Sequence, residues 1–248
     1  MPIIYLSPST QDWNMYVTGS GSEEYNMNLL ADALVPYLLS NGIQYQRNRP
    51  EMTAASSIRE ANSGYYDFYL ALHSNAAPEG RYGEERGIIA FYYPGSPQGQ
   101  RAAELFAESL REIYPLPDKV TTRPTTSLGE VRQSRAPAVL LEIGYHDNWA
   151  DATWVETHTD AIARQIARAL TEYFGLPFIY PMDPMGGEVD VAYGTLNLRS
   201  SPSPDGTVLA NMPDGAQVRI YGAWQGWYVV HYQNDVGYAA AAYINLED

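Results

Sequence analysis

The feature that most constrains the fold is the segment from Phe178 to Gly187, which no regular element can cross. Pro181 and Pro184 lack a backbone donor, and the glycine pair at its end favours neither a helix nor a strand. A chain of 248 residues can bury one large core or two smaller ones. We therefore predict two domains, residues 1–178 and 188–248, joined by a linker over residues 179–187.

Before this segment, apolar runs alternate with stretches of helical period, and this alternation predicts an α/β fold with a mostly parallel sheet flanked by helices. Ser20 and Glu23 fit a capping box for the first helix, and Pro36 should kink that helix. The Pro/Thr-rich stretch after Tyr114 is predicted to be a loop. The predicted strands are Ile3–Leu6, Phe68–His73, Gly87–Tyr93 and Ala138–Glu142, and the predicted helices begin at Glu23, Thr53, Gln98 and Asp151.

After the segment, short runs rich in β-branched and aromatic residues are separated by polar turns, and no helical period is visible. About five such runs predict a small all-β, SH3-like barrel. They are Thr195–Arg199, Thr207–Met212, Gln217–Tyr221, Trp227–Tyr232 and Val236–Tyr238.

Composition excludes several classes of function. The chain has no cysteine, so a metal must be held by His, Asp or Glu. The net charge of -14 would repel nucleic acid. Nowhere do 18 apolar residues run together, so no membrane span is predicted, and no export signal is visible at the N-terminus.

Three polar residues stand at the strand edge where open α/β sheets bind ligands. His73 and Glu142 end predicted strands, and Glu24 lies in the first turn of the helix after strand one. Singly, each has a structural interpretation: a helix N-terminal acid for Glu24, a backbone-bonded histidine for His73, and a buried ion pair for Glu142. Together they predict one coordinated site, with Glu142 as the leading catalytic candidate because a carboxylate after an apolar strand is costly to bury.

These residues carry a resemblance to a known family. The segments Glu24-x-x-x-Asn28-Leu29, His73-Ser74-Asn75-Ala76 and Pro137–Tyr145 with Asn148 resemble the zinc-dependent N-acetylmuramoyl-L-alanine amidases of the Amidase_3 type, over roughly residues 2–176. The resemblance implies zinc held by Glu24 and His73, with Glu142 as general base for the attack of water on the amide. Asn75 and Arg132 occupy positions that could orient the substrate, although Arg132 could equally form an ion pair.

The chain departs from this family after its first strand. The family supplies a histidine ligand from an Asp-Pro-Gly-His-Gly type loop, whereas this sequence reads Leu6-Ser7-Pro8-Ser9-Thr10-Gln11. Candidates for the third ligand are Gln11, Asp12 and His146. His158 shares a helical face with Ile162 and Ile166, so we predict that it packs in the core.

The C-terminal region resembles bacterial SH3 (SH3b) domains, on Thr195–Pro202, Gly226–Val230, Gly237-Tyr238 and Tyr243-Ile244. The resemblance implies that it holds the catalytic domain against peptidoglycan. Trp224, beside a turn, is the predicted exposed aromatic for binding, whereas Trp227 is predicted to lie in the core.

The sequence thus predicts a peptidoglycan hydrolase that cuts the amide between N-acetylmuramic acid and L-alanine, acting in the cell wall or outside the cell as an autolysin or endolysin. One alternative is a non-catalytic pseudo-amidase that lost its first metal ligand and only binds the wall. A third interpretation keeps the metal and the base but cuts an amide within the stem peptide.

Overall fold

A computed structural model describes residues 1–247, and the chain divides into two compact units. The first unit comprises Ile3–Leu34 and Tyr45–Tyr173. The second comprises Met1–Pro2, Val35–Gln44 and the chain from Phe174 onward. Among the described residues, no helix has both the length and the apolar character that a membrane crossing requires.

The first unit is built on a six-stranded sheet with strand order β2-β1-β3-β6-β4-β5. Strand β3 pairs in parallel with β1 and with β6, and β4 pairs in parallel with β5. Strand β4 pairs antiparallel with β6, and the predicted mostly parallel α/β sheet is confirmed. The strands are β1 (Ile3–Pro8), β2 (Gln44–Arg47), β3 (Phe68–Asn75), β4 (Ile88–Tyr92), β5 (Val120–Pro124) and β6 (Ala138–Tyr145).

Six helices accompany this sheet: α1 (Glu23–Ser40), α2 (Ala54–Ser63), α3 (Pro97–Arg111), α4 (Gly129–Arg132), α5 (Trp149–Thr157) and α6 (Thr159–Phe174), with a short 3-10 turn at Pro117–Lys119. Helix α1 buries Met27, Leu30, Leu34 and Leu38 completely, as their helical spacing predicts. Its cap differs from the prediction, because Ser22 rather than Ser20 precedes the helix and accepts from the Tyr25 amide at 3.1 Å. The helix continues past Pro36 to Ser40.

Three elements of the first unit differ from the sequence-based expectation. The Pro/Thr-rich stretch contains strand β5, and β2 was not predicted. The last predicted helix is two helices, α5 and α6, which meet at His158. His158 is exposed there and stacks on Trp154 at 5.6 Å, so the prediction of a core histidine was wrong. The residue ends α5 instead of continuing a single helical face.

The second unit contains a seven-stranded antiparallel sheet with order β13-β7-β10-β11-β12-β8-β9. Its inner face buries a cluster that includes Leu198, Met212, Ile220 and Val230, as the alternating runs predict for an SH3-like domain. The strands are β7 (Met185–Val189), β8 (Thr195–Arg199), β9 (Val208–Pro213), β10 (Gln217–Trp224), β11 (Trp227–Tyr232), β12 (Asp235–Ala240) and β13 (Ile244–Leu246), with a 3-10 turn at Ala241–Tyr243.

The segment predicted to be a linker takes part in the second unit. Strand β7 begins at Met185. Further upstream, the buried side chain of Asn41 donates to the Ile179 carbonyl at 3.0 Å and accepts from the Ile179 amide at 2.6 Å. Ser40 donates to the same carbonyl at 3.1 Å. The proposed domain bounds of 1–178 and 188–248 remain a prediction.

Candidate active site

Strand register places the two central site residues side by side. His73 of β3 is the register partner of Glu142 of β6. Side chains alternate across a strand, so His73 shares a face with Tyr69 and Glu142 shares it with Leu140. That face is the one on which Ala61 of α2 and Val131 of α4 pack, and it brings α4 close to the site.

His73 is held between two carboxylates. Its Nδ1 lies 2.8 Å from Glu23 Oε1, and its Nε2 lies 2.9 Å from Glu130 Oε2. All three residues are buried. Glu23 comes from the first turn of α1, where the helix dipole favours a negative charge, and Glu130 comes from α4. Both ring nitrogens therefore have a carboxylate partner.

Burial and charge act in opposite directions on these groups. Burial would lower the pKa of His73, but Glu130 and Glu23 outweigh it and raise the pKa well above its ordinary value. Burial would raise the pKa of Glu23 and of Glu130, but the hydrogen bonds and the charge of His73 hold both pKa values below the ordinary one. The paired charges therefore favour a protonated ring and ionised carboxylates in this arrangement.

Glu142 differs from Glu23 and Glu130, because its pKa is raised and theirs are lowered. Burial raises its pKa to about 7, and the negative charges of Glu23 and Glu130 add to this effect against the opposing charge of His73. Its Oε2 is buried without a hydrogen-bond partner among residues 1–247. A carboxyl group that takes up and releases a proton near neutral pH, with one oxygen free, is suited to general acid–base chemistry.

The side chain of Gln11 lies beside Glu23 and the Nδ1 atom of His73. Its Nε2 lies 3.3 Å from Glu23 Oε1 and 3.4 Å from His73 Nδ1. Asn14 donates to Gln11 Oε1 at 3.2 Å and to Glu23 Oε2 at 2.8 Å. An imidazole nitrogen, a carboxylate and an amide thus converge on one point.

As it stands, this set does not present three metal ligands, because Gln11 turns its NH2 group toward Glu23 and His73 while its oxygen accepts from Asn14. A catalytic zinc site uses three protein ligands, and the other ring nitrogen of a ligating histidine commonly bonds a carboxylate, as His73 Nε2 bonds Glu130. Gln11 would have to turn its amide over to present oxygen. No group of three or more His, Cys, Asp or Glu suited to a metal occurs among residues 1–247.

The site opens into a cavity of about 380 Å³. Its polar lining includes Gln11, His73, Glu130 and Glu142, and Trp13 lies on its wall with 70% of its surface exposed. A tryptophan face beside reactive polar groups can stack on a flat part of a substrate.

Glu24, the predicted metal ligand, has no recorded contact with His73, and its role as a ligand stays a prediction. Glu24 is half-buried, and its side chain contacts Asn28, whose Nδ2 lies 3.4 Å away. Consecutive helical residues point about 100° apart, so only one of two adjacent glutamates can face His73. That residue is Glu23.

The third-ligand candidates have separate positions. Gln11 reaches the centre, Asp12 is exposed, and His146 does not line the cavity. The Nδ1 of His146 lies 3.0 Å from the Ser74 carbonyl and 3.2 Å from Ser74 Oγ, and its ring stacks on Tyr16 at 5.9 Å. His146 as a ligand remains a prediction that these contacts do not support.

The predicted substrate contacts do not meet at the cavity. Asn75 is half-buried, and its Oδ1 accepts from the Ala76 amide at 2.9 Å. Arg132 is exposed and lies outside the cavity lining. Trp224, expected to be exposed, is instead half-buried against a cluster that contains Val229 and Tyr238, because β10 turns it toward that cluster.

Two residues of the centre, Glu23 and Glu130, were not predicted. Glu23 precedes Met27 by four residues, so the buried stripe of α1, extended backward, could have identified it. Glu130 lies beside the buried Val131 in a helix of four residues, which is too short for a periodic signal.

Comparison with known families matches the family described as N-acetylmuramoyl-L-alanine amidase to residues 14–172, and the bacterial SH3 domain to residues 194–245. The amidase match begins after Gln11. The stretch that lacks the family's first histidine therefore lies outside the matched region.

Individual relatives agree with this assignment. The sporulation-specific N-acetylmuramoyl-L-alanine amidase of Bacillus subtilis (strain 168) is 24% identical over 183 residues, covering 70% of this chain and 68% of the relative. The solved structure of the amidase AmiC2 of Nostoc punctiforme is similar with a TM-score of 0.62 at 16% identity, over 70% of this chain and 97% of that one. The catalytic domain of the amidase CwlV from Bacillus (Paenibacillus) polymyxa var. colistinus gives a TM-score of 0.61 at 16% identity, over 71% and 100%. At these identities the structures show the fold alone.

The family match extends over more than half of the chain, and the chain belongs to the N-acetylmuramoyl-L-alanine amidase family, with a bacterial SH3 domain after its amidase region.

Proposed function

We propose that this protein hydrolyses the amide between the lactyl group of N-acetylmuramic acid and the L-alanine of the stem peptide, and that it acts in the cell wall or outside the cell. The observation that carries the proposal is Glu142, a buried carboxyl group with a pKa raised to about 7 and one unpartnered oxygen, beside the Gln11–Glu23–His73 centre. The family assignment supports the same reaction.

The residues that would hold zinc are Glu23 through Oε1, His73 through Nδ1 and Gln11 through its amide oxygen. Glu23 takes the role that the sequence resemblance gave to Glu24, because Glu23 contacts His73. When bound, zinc would polarise the scissile carbonyl and lower the pKa of water to about 7. An amide binds zinc more weakly than an imidazole, so we expect a weaker site than one with two histidines.

Glu142 would move the proton. In its ionised form it accepts a proton from the attacking water, and in its protonated form it donates to the nitrogen of the departing L-alanine. A group with a pKa near the working pH can perform both steps, because neither form is rare. Oε2 has no hydrogen bond among the described residues that a change of protonation would have to break.

Wall binding would use exposed aromatic rings. Trp13 offers a flat face beside the cavity for a sugar ring. In the SH3 domain, Tyr193 and Tyr243 border a second cavity of about 380 Å³, and Tyr193 is 95% exposed. These tyrosines replace Trp224 as the accessible aromatics of that domain. With a net charge of -14, binding would rest on stacking and hydrogen bonds and would change little with salt.

The test is hydrolysis of purified peptidoglycan by the full chain supplied with zinc. We expect new L-alanine amino groups and sugar-free stem peptides by mass spectrometry. Glu142→Gln should lower the rate roughly 10²–10⁴-fold. Glu108→Gln, on the exposed side of α3, is the matched control and should leave the rate unchanged.

Other outcomes would select the alternatives. Peptidoglycan binding without any new amino group, in protein that retains no zinc after dialysis, would favour the non-catalytic pseudo-amidase. New termini inside the stem peptide would favour cleavage of a different amide. Full activity of Glu142→Gln would overturn the proposed role of Glu142.

A further inference from the structure

The first unit has another cavity, of about 260 Å³, which is separate from the candidate active site. Its lining comes from the end of α2 and from the segments just before β3 and β6, whereas His73 and Glu142 lie further along those parallel strands. The volume is below the roughly 300–1,000 Å³ of sites for drug-sized ligands, so it suits a single sugar ring with its substituent. We call it the Arg135 cavity, and its lining includes Asn62, Gly64, Tyr65, Tyr66, Tyr69 and Arg135.

Arg135 brings a positive charge to this cavity without a negative partner. Its side chain is exposed, and Nη1 donates to the Asn62 carbonyl at 2.8 Å. No carboxylate forms an ion pair with this guanidinium among residues 1–247. The Asn62 side chain fixes the same segment, since its Oδ1 accepts from the Arg135 amide at 2.8 Å and its Nδ2 donates to the Gln133 carbonyl at 2.8 Å. The remaining guanidinium donors can therefore bind a carboxylate without breaking an ion pair.

Tyrosine rings form the walls beside the guanidinium. Tyr65 is 84% exposed, so its ring is available to a ligand. The hydroxyl of Tyr66 donates to Gln46 Oε1 at 2.7 Å, which fixes the second ring. Gly64 allows this placement, because a Cβ at that position would lie 2.8 Å from the Tyr66 ring. Flat amphipathic rings beside a cation suit a sugar that bears a negative group.

The proposed reaction produces such a sugar. Hydrolysis places the water oxygen on the lactyl carbonyl carbon, which becomes a carboxylate, and L-alanine departs as an amine. The intact substrate carries a neutral amide at the same position. A guanidinium binds a carboxylate through charge-assisted hydrogen bonds, which are roughly twice as strong as those to a neutral group. One negative charge therefore distinguishes the glycan product from the substrate.

We propose that the Arg135 cavity binds the lactyl carboxylate of the glycan strand once its stem peptide has been removed. Arg135 holds the carboxylate, and Tyr65 stacks on the sugar ring. The inference rests on the proposed function, which supplies this carboxylate.

Helix α2 connects the Arg135 cavity with the candidate active site. Thr53 and Ala54, at the start of the helix, line the active-site cavity, and Asn62, near its end, lines the Arg135 cavity. The 10 residues of α2 span about 15 Å. A glycan strand of several sugars can extend over that length. The cleaved part of a strand thus stays bound while its next amide enters the active site.

The experiment measures, by calorimetry, how the full chain binds a tetrasaccharide of alternating N-acetylglucosamine and N-acetylmuramic acid with free lactyl carboxylates. The matched ligand has each lactyl carboxylate reduced to an alcohol, which is neutral and cannot be hydrolysed. We expect the wild type to bind the carboxylate form at least about tenfold more tightly. Arg135→Gln should abolish this preference. Arg123→Gln, which removes the same charge from the exposed side of the edge strand β5, should keep it.

Tyr65→Ala tests the aromatic contact. Because the ring stacks on the sugar and does not touch the carboxylate, the variant should bind both ligands roughly 3–10-fold more weakly and keep the preference. Equal affinities of the wild type for the two ligands, a preference that survives in Arg135→Gln, or unchanged binding by Tyr65→Ala would overturn the inference.

The binding measurement is independent of catalysis. Hydrolysis of peptidoglycan without the carboxylate preference would remove the role of the Arg135 cavity and leave the proposed function standing. A preference that depends on Arg135 in a chain that hydrolyses nothing would support the site and contradict the proposed function.

Discussion

His73 is buried and His231 is half-buried, and the two units of the chain shift the pKa values of these histidines in opposite directions. His73 has a carboxylate at each ring nitrogen, and its pKa is raised well above the ordinary value, although burial alone would lower it. His231 has no hydrogen-bond partner at Nε2 among the described residues, and burial lowers its pKa to about 4. Its ring lies 4.1 Å from that of Tyr221.

The difference shows what the parallel sheet contributes. Burial favours a neutral histidine, so a buried imidazolium requires carboxylates brought from other elements. In the first unit α1 and α4 supply Glu23 and Glu130 at the strand that carries His73. In the second unit His231 serves as an aromatic ring within an antiparallel sheet. The two carboxylates therefore distinguish His73, in the candidate active site, from His231, which packs as an aromatic ring.

The largest expected effect tests which glutamate completes the centre. Glu23→Gln should reduce hydrolysis roughly a thousandfold, because zinc contributes several kcal/mol to the transition state and one of its two stronger ligands is lost. Glu24→Gln should stay within about threefold of the wild type, since its side chain contacts Asn28. Steady-state rates on peptidoglycan at saturating zinc measure both. The reverse order of effects would return the ligand role to Glu24.

This pair of residues also shows how far sequence reasoning reaches. His73 and Glu142 were predicted because each is a polar residue in an apolar strand, and a parallel sheet brings such positions together. Glu23 and Glu24 point about 100° apart around α1. Motif matching favoured Glu24, whereas the buried stripe of α1 favours Glu23.

The other differences have local causes. Glu130 lies in a single helical turn whose position depends on packing against Ala61 and Tyr69. Strand β5 was missed because its Thr and Pro residues suggest a loop, and its pairing with β4 is a long-range contact. The break between α5 and α6 has no proline or glycine to mark it.

The next effect concerns stability and contrasts Glu142 with the charged centre. The folded pKa of Glu142, about 7, lies above its ordinary value of 4.5, so the protonated form stabilises the fold. That contribution is complete below about pH 4.5 and is lost as pH rises through about 7; a shift of this size corresponds to about 3 kcal/mol. Glu142→Gln should therefore gain stability relative to the wild type as the pH rises from about 4.5 through about 7, and should keep that gain at higher pH.

Urea unfolding of both proteins in chelator, at several pH values, measures this difference. The chelator is needed because a bound dication would lower the pKa of a nearby carboxyl group. Parallel stability curves for the two proteins across this range would mean that Glu142 ionises at its ordinary pKa, and the proposed proton transfer would lose its basis.

A smaller effect is expected when the side-chain amide of Gln11 is replaced by an imidazole. Gln11→His should bind zinc about tenfold more tightly or better, because even 1.4 kcal/mol of improved ligation gives a factor of ten. Calorimetry against the wild type measures the change, and Gln11→Leu, which offers no ligand, should bind more weakly than either. Equal affinities for all three proteins would show that Gln11 does not contact the ion.

The smallest effect is predicted for His231, and it tests the other half of the comparison. Because its folded pKa of about 4 lies below the ordinary 6.5, the neutral ring stabilises the second unit. This contribution is present above about pH 6.5 and is lost as pH falls through about 4. His231→Phe keeps a ring beside Tyr221 and removes the titrating nitrogens, so the SH3 region of this variant should stay folded to a lower pH than that of the wild type.

NMR signals of residues 194–245 during acid titration report this difference. A His231 ring that titrates near 6.5 would show that water reaches it, and burial alone would then not explain why the two histidines differ.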